Sequence, residues 1–173
     1  MFQQLPWELV SHIFSFNDNS ERTIFKFVCL SWYNLNLDCK DRVCHYAAMN
    51  DYLGIMKWAR DNGCPWDEYV CAYAAIGNHF ELLQWVRNKG CPWDKNTCTY
   101  AAAGGHLKLL QWIRNNNCPW DRETCWVAAF YGHLEVLQWA RSKDCPWDKW
   151  TRVAAVNNGQ LDIVEWIQNN GCP

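Results

Sequence analysis

The chain has 173 residues, half of them apolar, with 13 tryptophans and a formal net charge of −2. It can bury a core, and it lacks the basic excess of a nucleic-acid-binding protein. No apolar run approaches the roughly 18 to 20 residues that span a membrane. No Lys or Arg precedes the apolar start, as a signal peptide would require, so the 11 cysteines are expected as thiols in a reducing, cytoplasmic compartment.

In chain order, the first element is "LPWELVSHIFSF", where Leu5, Leu9, Ile13 and Phe16 share one side of a helix that Pro6 can start. A second apolar set runs through Phe25, Val28 and Trp32. Leu5-Pro6 with Glu8-Leu9 and Ile13, then Val28, Cys29, Trp32 and Leu35, resemble the opening and closing motifs of an F-box. Asn17 and Arg22 stand where that family usually has leucine. The resemblance implies that residues 1–36 dock onto the Skp adaptor of a cullin-based ubiquitin ligase through Leu5, Pro6, Leu9 and Ile13, with Val28 and Trp32 nearby. The other reading is a helical cap on the end of the array that follows, and one segment can serve as both.

From residue 37 the sequence repeats. "CPWD" occurs at 64–67, 91–94, 118–121 and 145–148, always 27 residues apart, and "CP" recurs at 172–173. A degenerate unit from Leu37 carries Cys44, Ala47, Ala48, Trp58 and Arg60 in register, so units start near 37, 64, 91, 118 and 145. Each unit reads as two short helices. Asp67, Asp94, Asp121 and Asp148 can cap the first by accepting from its free amides. Cys71, Ala74 and Ala75 then form a narrow face that lets helices approach closely. "GNH" or "GGH" breaks the helix. A second helix follows with Phe80, Leu83 and Val86 at helical spacing, and Asn or Gly closes it. Pro65 forces an extended exit. No alternating run is long enough for a strand, so the expected fold class is all-α, a solenoid of 27-residue helix-turn-helix units.

"AAAGGHLKLLQWIRNNN" and "AAFYGHLEVLQWARSKD" resemble the core of the ankyrin repeat, and the resemblance covers residues 37–173. The unit is shorter than the ~33 residues of that family, and its T-P-L-H signature is missing. The resemblance therefore implies an ankyrin-like helix stack with a clipped loop, "CPWD" being that loop. Short tryptophan-rich units of this kind resemble ankyrin-like proteins abundant in giant DNA viruses, which would place the chain in host cytoplasm.

Metal, cofactor and enzyme readings are set aside. The cysteines of a unit are separated by six residues rather than the two to four of zinc pairs, and Arg152 replaces the second one in the last unit. Buried cysteine also packs as a small hydrophobe. His79, His106 and His133 recur without a distinct partner, unlike a catalytic constellation, and no phosphate loop or Ser/His/Asp set stands out. Arg60, Arg87, Arg114 and Arg141 are expected to pair with Asp67, Asp94, Asp121 and Asp148 in a ladder between units.

Positions that hold the stack should repeat, whereas positions that bind need not. The pair after the alanines varies freely: Ile76-Gly77, Ala103-Gly104, Phe130-Tyr131 and Asn157-Asn158. The ankyrin resemblance places that pair on a concave binding surface. Tyr69, Asn96, Glu123 and Trp150 also vary, as do Ala72, Thr99, Trp126 and Val153. Aromatic residues dominate binding hot spots, so Trp126, Phe130, Tyr131 and Trp150, with Ile76, are candidates for contact with a target protein; packing between units is the alternative. The combined expectation is an interaction adaptor with no catalysis, no metal and no cofactor. Its F-box-like part would recruit a ligase and its repeats would select the target. The alternative is a repeat scaffold with no ligase link.

Overall fold

A computed structural model of the protein describes residues 40–61 and 63–173. The F-box-like segment expected at 1–36, with Leu5, Pro6, Leu9, Ile13, Val28 and Trp32, lies outside the described residues. Ten α-helices and no strand occur among the described residues. They are α1 (Lys40–Met49), α2 (Leu53–Asp61), α3 (Glu68–Ile76), α4 (Phe80–Asn88), α5 (Lys95–Ala103), α6 (Leu107–Asn115), α7 (Arg122–Tyr131), α8 (Leu134–Ser142), α9 (Lys149–Asn157) and α10 (Leu161–Asn169). The odd-numbered helices stack on one another in sequence, and each even-numbered helix packs against the odd one before it. The result is an all-α, solenoid-like stack of helix pairs.

Small residues make the odd helices stackable. Ala74, Ala75, Ala101, Ala102, Ala128 and Ala129 are fully buried, as are Cys71, Cys98 and Cys125. The even helices supply the larger core side chains, among them Leu82, Leu83, Leu109, Leu110, Ile113, Leu137 and Ile163. Each fully buried Leu or Ile is worth about 1.5–3 kcal/mol, which is how helices of about nine residues, unstable alone, persist here. Helical spacing also put Phe80 in this core, but it is 39% exposed, and its ring meets Trp112 of the next unit edge-on at 5.3 Å.

Asp67, Asp94, Asp121 and Asp148 are N-caps in extended conformation, accepting from the amides of Tyr69, Asn96, Glu123 and Trp150 at 2.9–3.1 Å. The turns use left-handed backbone twice per unit. Within a unit it falls on Asp51, Asn78, Gly105, Gly132 or Gly159, and after the even helix on Gly63, Gly90, Asn117, Asp144 or Gly171. Only glycine, asparagine and aspartate occupy these places, the residues that tolerate such angles most cheaply.

The four extended residues between helix pairs are a joint. Cys91 shows how much one position carries. Its amide donates to the Val86 carbonyl at 2.9 Å, closing α4 with the long bond of a Schellman-type cap. Its carbonyl accepts from the Arg87 guanidinium. Its thiol donates to the Asp67 carbonyl one joint earlier at 3.6 Å, and is itself hydrogen-bonded to the Cys71 thiol. Cys118, Cys145 and Cys172 make the same thiol bond to Asp94, Asp121 and Asp148 at 3.1–3.4 Å.

The arginines do not pair with the aspartates as the sequence suggested. Each lies over the tryptophan of the following joint, Arg60 on Trp66, Arg87 on Trp93, Arg114 on Trp120 and Arg141 on Trp147, 4.0–4.4 Å from the ring centre. Arg87, Arg114 and Arg141 also donate to the carbonyl of Cys91, Cys118 and Cys145. The planar guanidinium can stack and donate at once, which an ion pair would forgo. Three of the aspartates instead take a side chain of the preceding odd helix, Asp67 with His45 at 2.7 Å, Asp121 with Lys95 at 2.6 Å and Asp148 with Arg122 at 3.3 Å.

Candidate protein-binding surface

The odd helices bury their alanine face and leave the opposite face outward. Trp126 and Phe130 on α7 are four residues apart, hence neighbours on one side. Their ring centres are 5.4 Å apart, and Phe130 meets Tyr131 edge-on at 4.8 Å. Tyr131 in turn stacks at 6.5 Å on His133. Phe130 is half-buried, which fixes the group, while Trp126 and Tyr131 are 37% and 56% exposed. Trp150, on α9, is 55% exposed, with the Lys149 ammonium 5.4 Å above its ring. Ile76 is exposed on α3, two units away. The structure thus joins Trp126, Phe130 and Tyr131 into one ring cluster; Trp150 and Ile76 stand on other helices.

A second aromatic group was not singled out in the sequence. His45 of α1 meets Tyr73 of α3 at 5.3 Å and Tyr69 at 6.2 Å, Tyr69 meets Tyr73 at 6.1 Å, and Tyr73 meets Tyr100 of α5 at 6.0 Å. Burial first, then Tyr73, Tyr69 and Asp94 nearby, raises the Tyr100 hydroxyl above its ordinary pKa, so it stays a hydrogen-bond donor. The signal was available: tyrosine recurs at 46, 73 and 100. Recurrence pointed to packing, yet these rings are only partly covered.

The histidines and cysteines are engaged in the stack. Nε2 of His79, His106 and His133 bonds to the carbonyl of Met49, Ile76 and Ala103 in the preceding unit, at 2.8–3.0 Å. A carbonyl only accepts, so Nε2 carries the proton. In the last unit Gln160 makes the equivalent bond to Phe130 at 3.4 Å. The thiols pair across units as Cys44 with Cys64, Cys71 with Cys91, Cys98 with Cys118 and Cys125 with Cys145. Hydrogen bonding within each pair, then burial, raises Cys44, Cys71, Cys98 and Cys125 well above the ordinary thiol range, so they remain neutral. Among the described residues no three His, Cys, Asp or Glu side chains converge as a metal would need, and no helix is long and apolar enough to cross a membrane. What these outward faces offer chemically is aromatic contact area. No protein-family model matches the chain, and no curated protein matches it.

Proposed function

We propose that this protein is a protein–protein interaction adaptor whose helix stack holds a target protein on the outward faces of its odd helices. The observation that carries this reading is the Trp126–Phe130–Tyr131 cluster. Three rings are fixed against each other on one rigid helix, two of them open to solvent, with Trp150 exposed on the next odd helix. Rigid aromatics offer large contact area at little cost in conformational entropy, the usual composition of a binding hot spot. Ile76 extends the same surface toward the first units. The adaptor acts by proximity and supplies no chemistry of its own, metal or cofactor.

The finer form of the proposal makes the chain the substrate-recognition subunit of a cullin-based ubiquitin ligase. Leu5, Pro6, Leu9 and Ile13, with Val28 and Trp32, would recruit a Skp-type adaptor, and the ankyrin-like repeats would present the target. Support comes from the F-box-like motifs lying on the same chain as the stack.

Two pull-downs test the two levels separately. Proteins retained by the wild-type chain are compared with those retained by a Trp126→Ala/Tyr131→Ala variant of unchanged melting temperature. Loss of a specific protein supports the surface, and identical sets reject it. Retention of a Skp-type adaptor that disappears with Leu9→Asp or Ile13→Asp supports the ligase link. No retention, under conditions where a known F-box protein succeeds, leaves the first segment a cap.

A further inference from the structure

At two seams of the stack, a cation at the start of one odd helix reaches the aspartate that caps the next. Lys95 of α5 reaches Asp121 at 2.6 Å and Glu123 at 3.7 Å, and Arg122 of α7 reaches Asp148 at 3.3 Å. The seam between α3 and α5 lies inside the array and departs from this pattern. Glu68 holds the place of Lys95 and Arg122, and the aspartate of the next joint is Asp94. Two carboxylates therefore belong to a seam where the following seams form an ion pair. Neither has a cation within ion-pair distance among the described residues. Asp94 accepts from the backbone and side-chain amides of Asn96, both at 2.9 Å.

An acid suits the start of a helix, where free amides carry partial positive charge. That benefit is open to every odd helix, yet α5, α7 and α9 begin with Lys95, Arg122 and Lys149. The helix start alone does not account for Glu68.

The same seam is lined by tyrosine. Tyr69 is exposed, Tyr73 and Tyr100 are half-buried, and Tyr73 joins the other two at ring distances of 6.1 and 6.0 Å. Asp94 lies close enough to Tyr100 to act on its hydroxyl. Tyrosine faces attract cations, and this chain already sets Arg87 and Arg114 over tryptophans. Among the described residues no third metal-ligating side chain completes the carboxylates into a metal site. A guanidinium fits both features, since it stacks on a ring and donates paired bonds to a carboxylate.

We propose that the α3–α5 seam receives an arginine of the target protein, its guanidinium bonded to Glu68 and Asp94 and resting on the tyrosine rings. This rests on the adaptor reading above and adds where the target must carry positive charge. The target supplies the cation that Lys95 and Arg122 supply elsewhere in the stack. A surface one cation short discriminates between partners, because an acidic or neutral segment leaves the two carboxylates unanswered.

The test starts from displayed random peptides of about 12 residues, which span about 40 Å when extended, selected on the 173-residue chain. Enriched peptides are labelled and titrated by anisotropy at physiological salt, which screens distant surface charge. They should carry arginine, and replacing it by citrulline, similar in shape but uncharged, should weaken binding at least about tenfold. Glu68→Lys puts back the cation of the other seams. It should weaken the same peptides at least as much, with the melting temperature unchanged or raised. Asp94→Asn, which still caps α5, should weaken them too. Enrichment of peptides without arginine, or of none, overturns the proposal. So does hexalysine binding as tightly as the selected peptides, which would make the seam a general cation sink. Peptides lost with Trp126→Ala/Tyr131→Ala but indifferent to Glu68→Lys and Asp94→Asn would overturn this proposal and leave the adaptor reading standing.

Discussion

At the seam between α4 and α5, Arg87 covers Trp93, Cys91 bridges to Asp67 and Asp94 caps a helix; between α6 and α7, Arg114, Trp120, Cys118 and Asp121 do the same with matching partners. On the outward side of these same odd helices the equivalent positions are Ile76, Ala103, Phe130 and Asn157, which share nothing. One side of the unit is constrained by bonds to two neighbours at once; the other is constrained only by helix propensity. The same 27 residues therefore carry a conserved joint and a free surface, and a substitution should act on stability at one and on recognition at the other.

The sharpest way to break the joint is alkali. Cys44, Cys71, Cys98 and Cys125 have folded pKa values above their unfolded ones. Their contribution is complete below about pH 8.5, the unfolded thiol value, and is lost as pH rises past it, because only the unfolded chain releases the proton. Each thiol should cost about 2 kcal/mol of stability by about pH 10. Urea denaturation between neutral and alkaline pH should show this fall, and Cys98→Ala should make it shallower.

Next in size is Gly105→Ala. Gly105 has φ of 72°, and a Cβ there would stand 2.7 Å from the His133 ring, displacing the histidine bonded to Ala103. Backbone strain with that displacement should cost about 2–3 kcal/mol in the midpoint of denaturation. A smaller effect of opposite sign is expected at Thr124. Its buried hydroxyl has no hydrogen-bond partner, as at Thr97 and Thr151, while Val70 fills the same place in an earlier unit. Thr124→Val should raise stability by about 1 kcal/mol, read by the same titration. Smallest is Tyr131→Ala on the free side, within about 0.5 kcal/mol of wild type. A loss of several kcal/mol there would mean that Tyr131 belongs to the packing after all.

Much of the stack was legible because local chemistry repeats: an aspartate before a helix caps it, and small residues three and four apart stack. The sequence did not reveal which atoms meet across 24 to 30 residues. Arg87 and Asp94 look like partners by charge, yet the joint swings Trp93 under the guanidinium and leaves Asp94 to cap its own helix through Asn96. His106 recurs in the sequence with no distinct partner, but its ring reaches back to Ile76. Of the outward surface, Trp126, Phe130 and Tyr131 stood out because they break the repeat. Tyr73 and Tyr100 escaped notice because they keep it, although their rings are only partly covered.

The bonds of the joint have one consequence for how such a chain can change length. Each spans a fixed interval, 20 residues from the Cys125 thiol to the Cys145 carbonyl, 24 from the Cys145 thiol to the Asp121 carbonyl, 26 from Lys95 to Asp121 and 30 from histidine to carbonyl. Every unit thus carries one half of the bonds to its predecessor and the other half of those to its successor. A duplication or deletion of 27 residues inside the array keeps every one of these intervals in register. An insertion of any other length breaks them together. Growth and loss by whole units is the mutational path this architecture tolerates, and each copy so gained brings an outward helix face free to diverge.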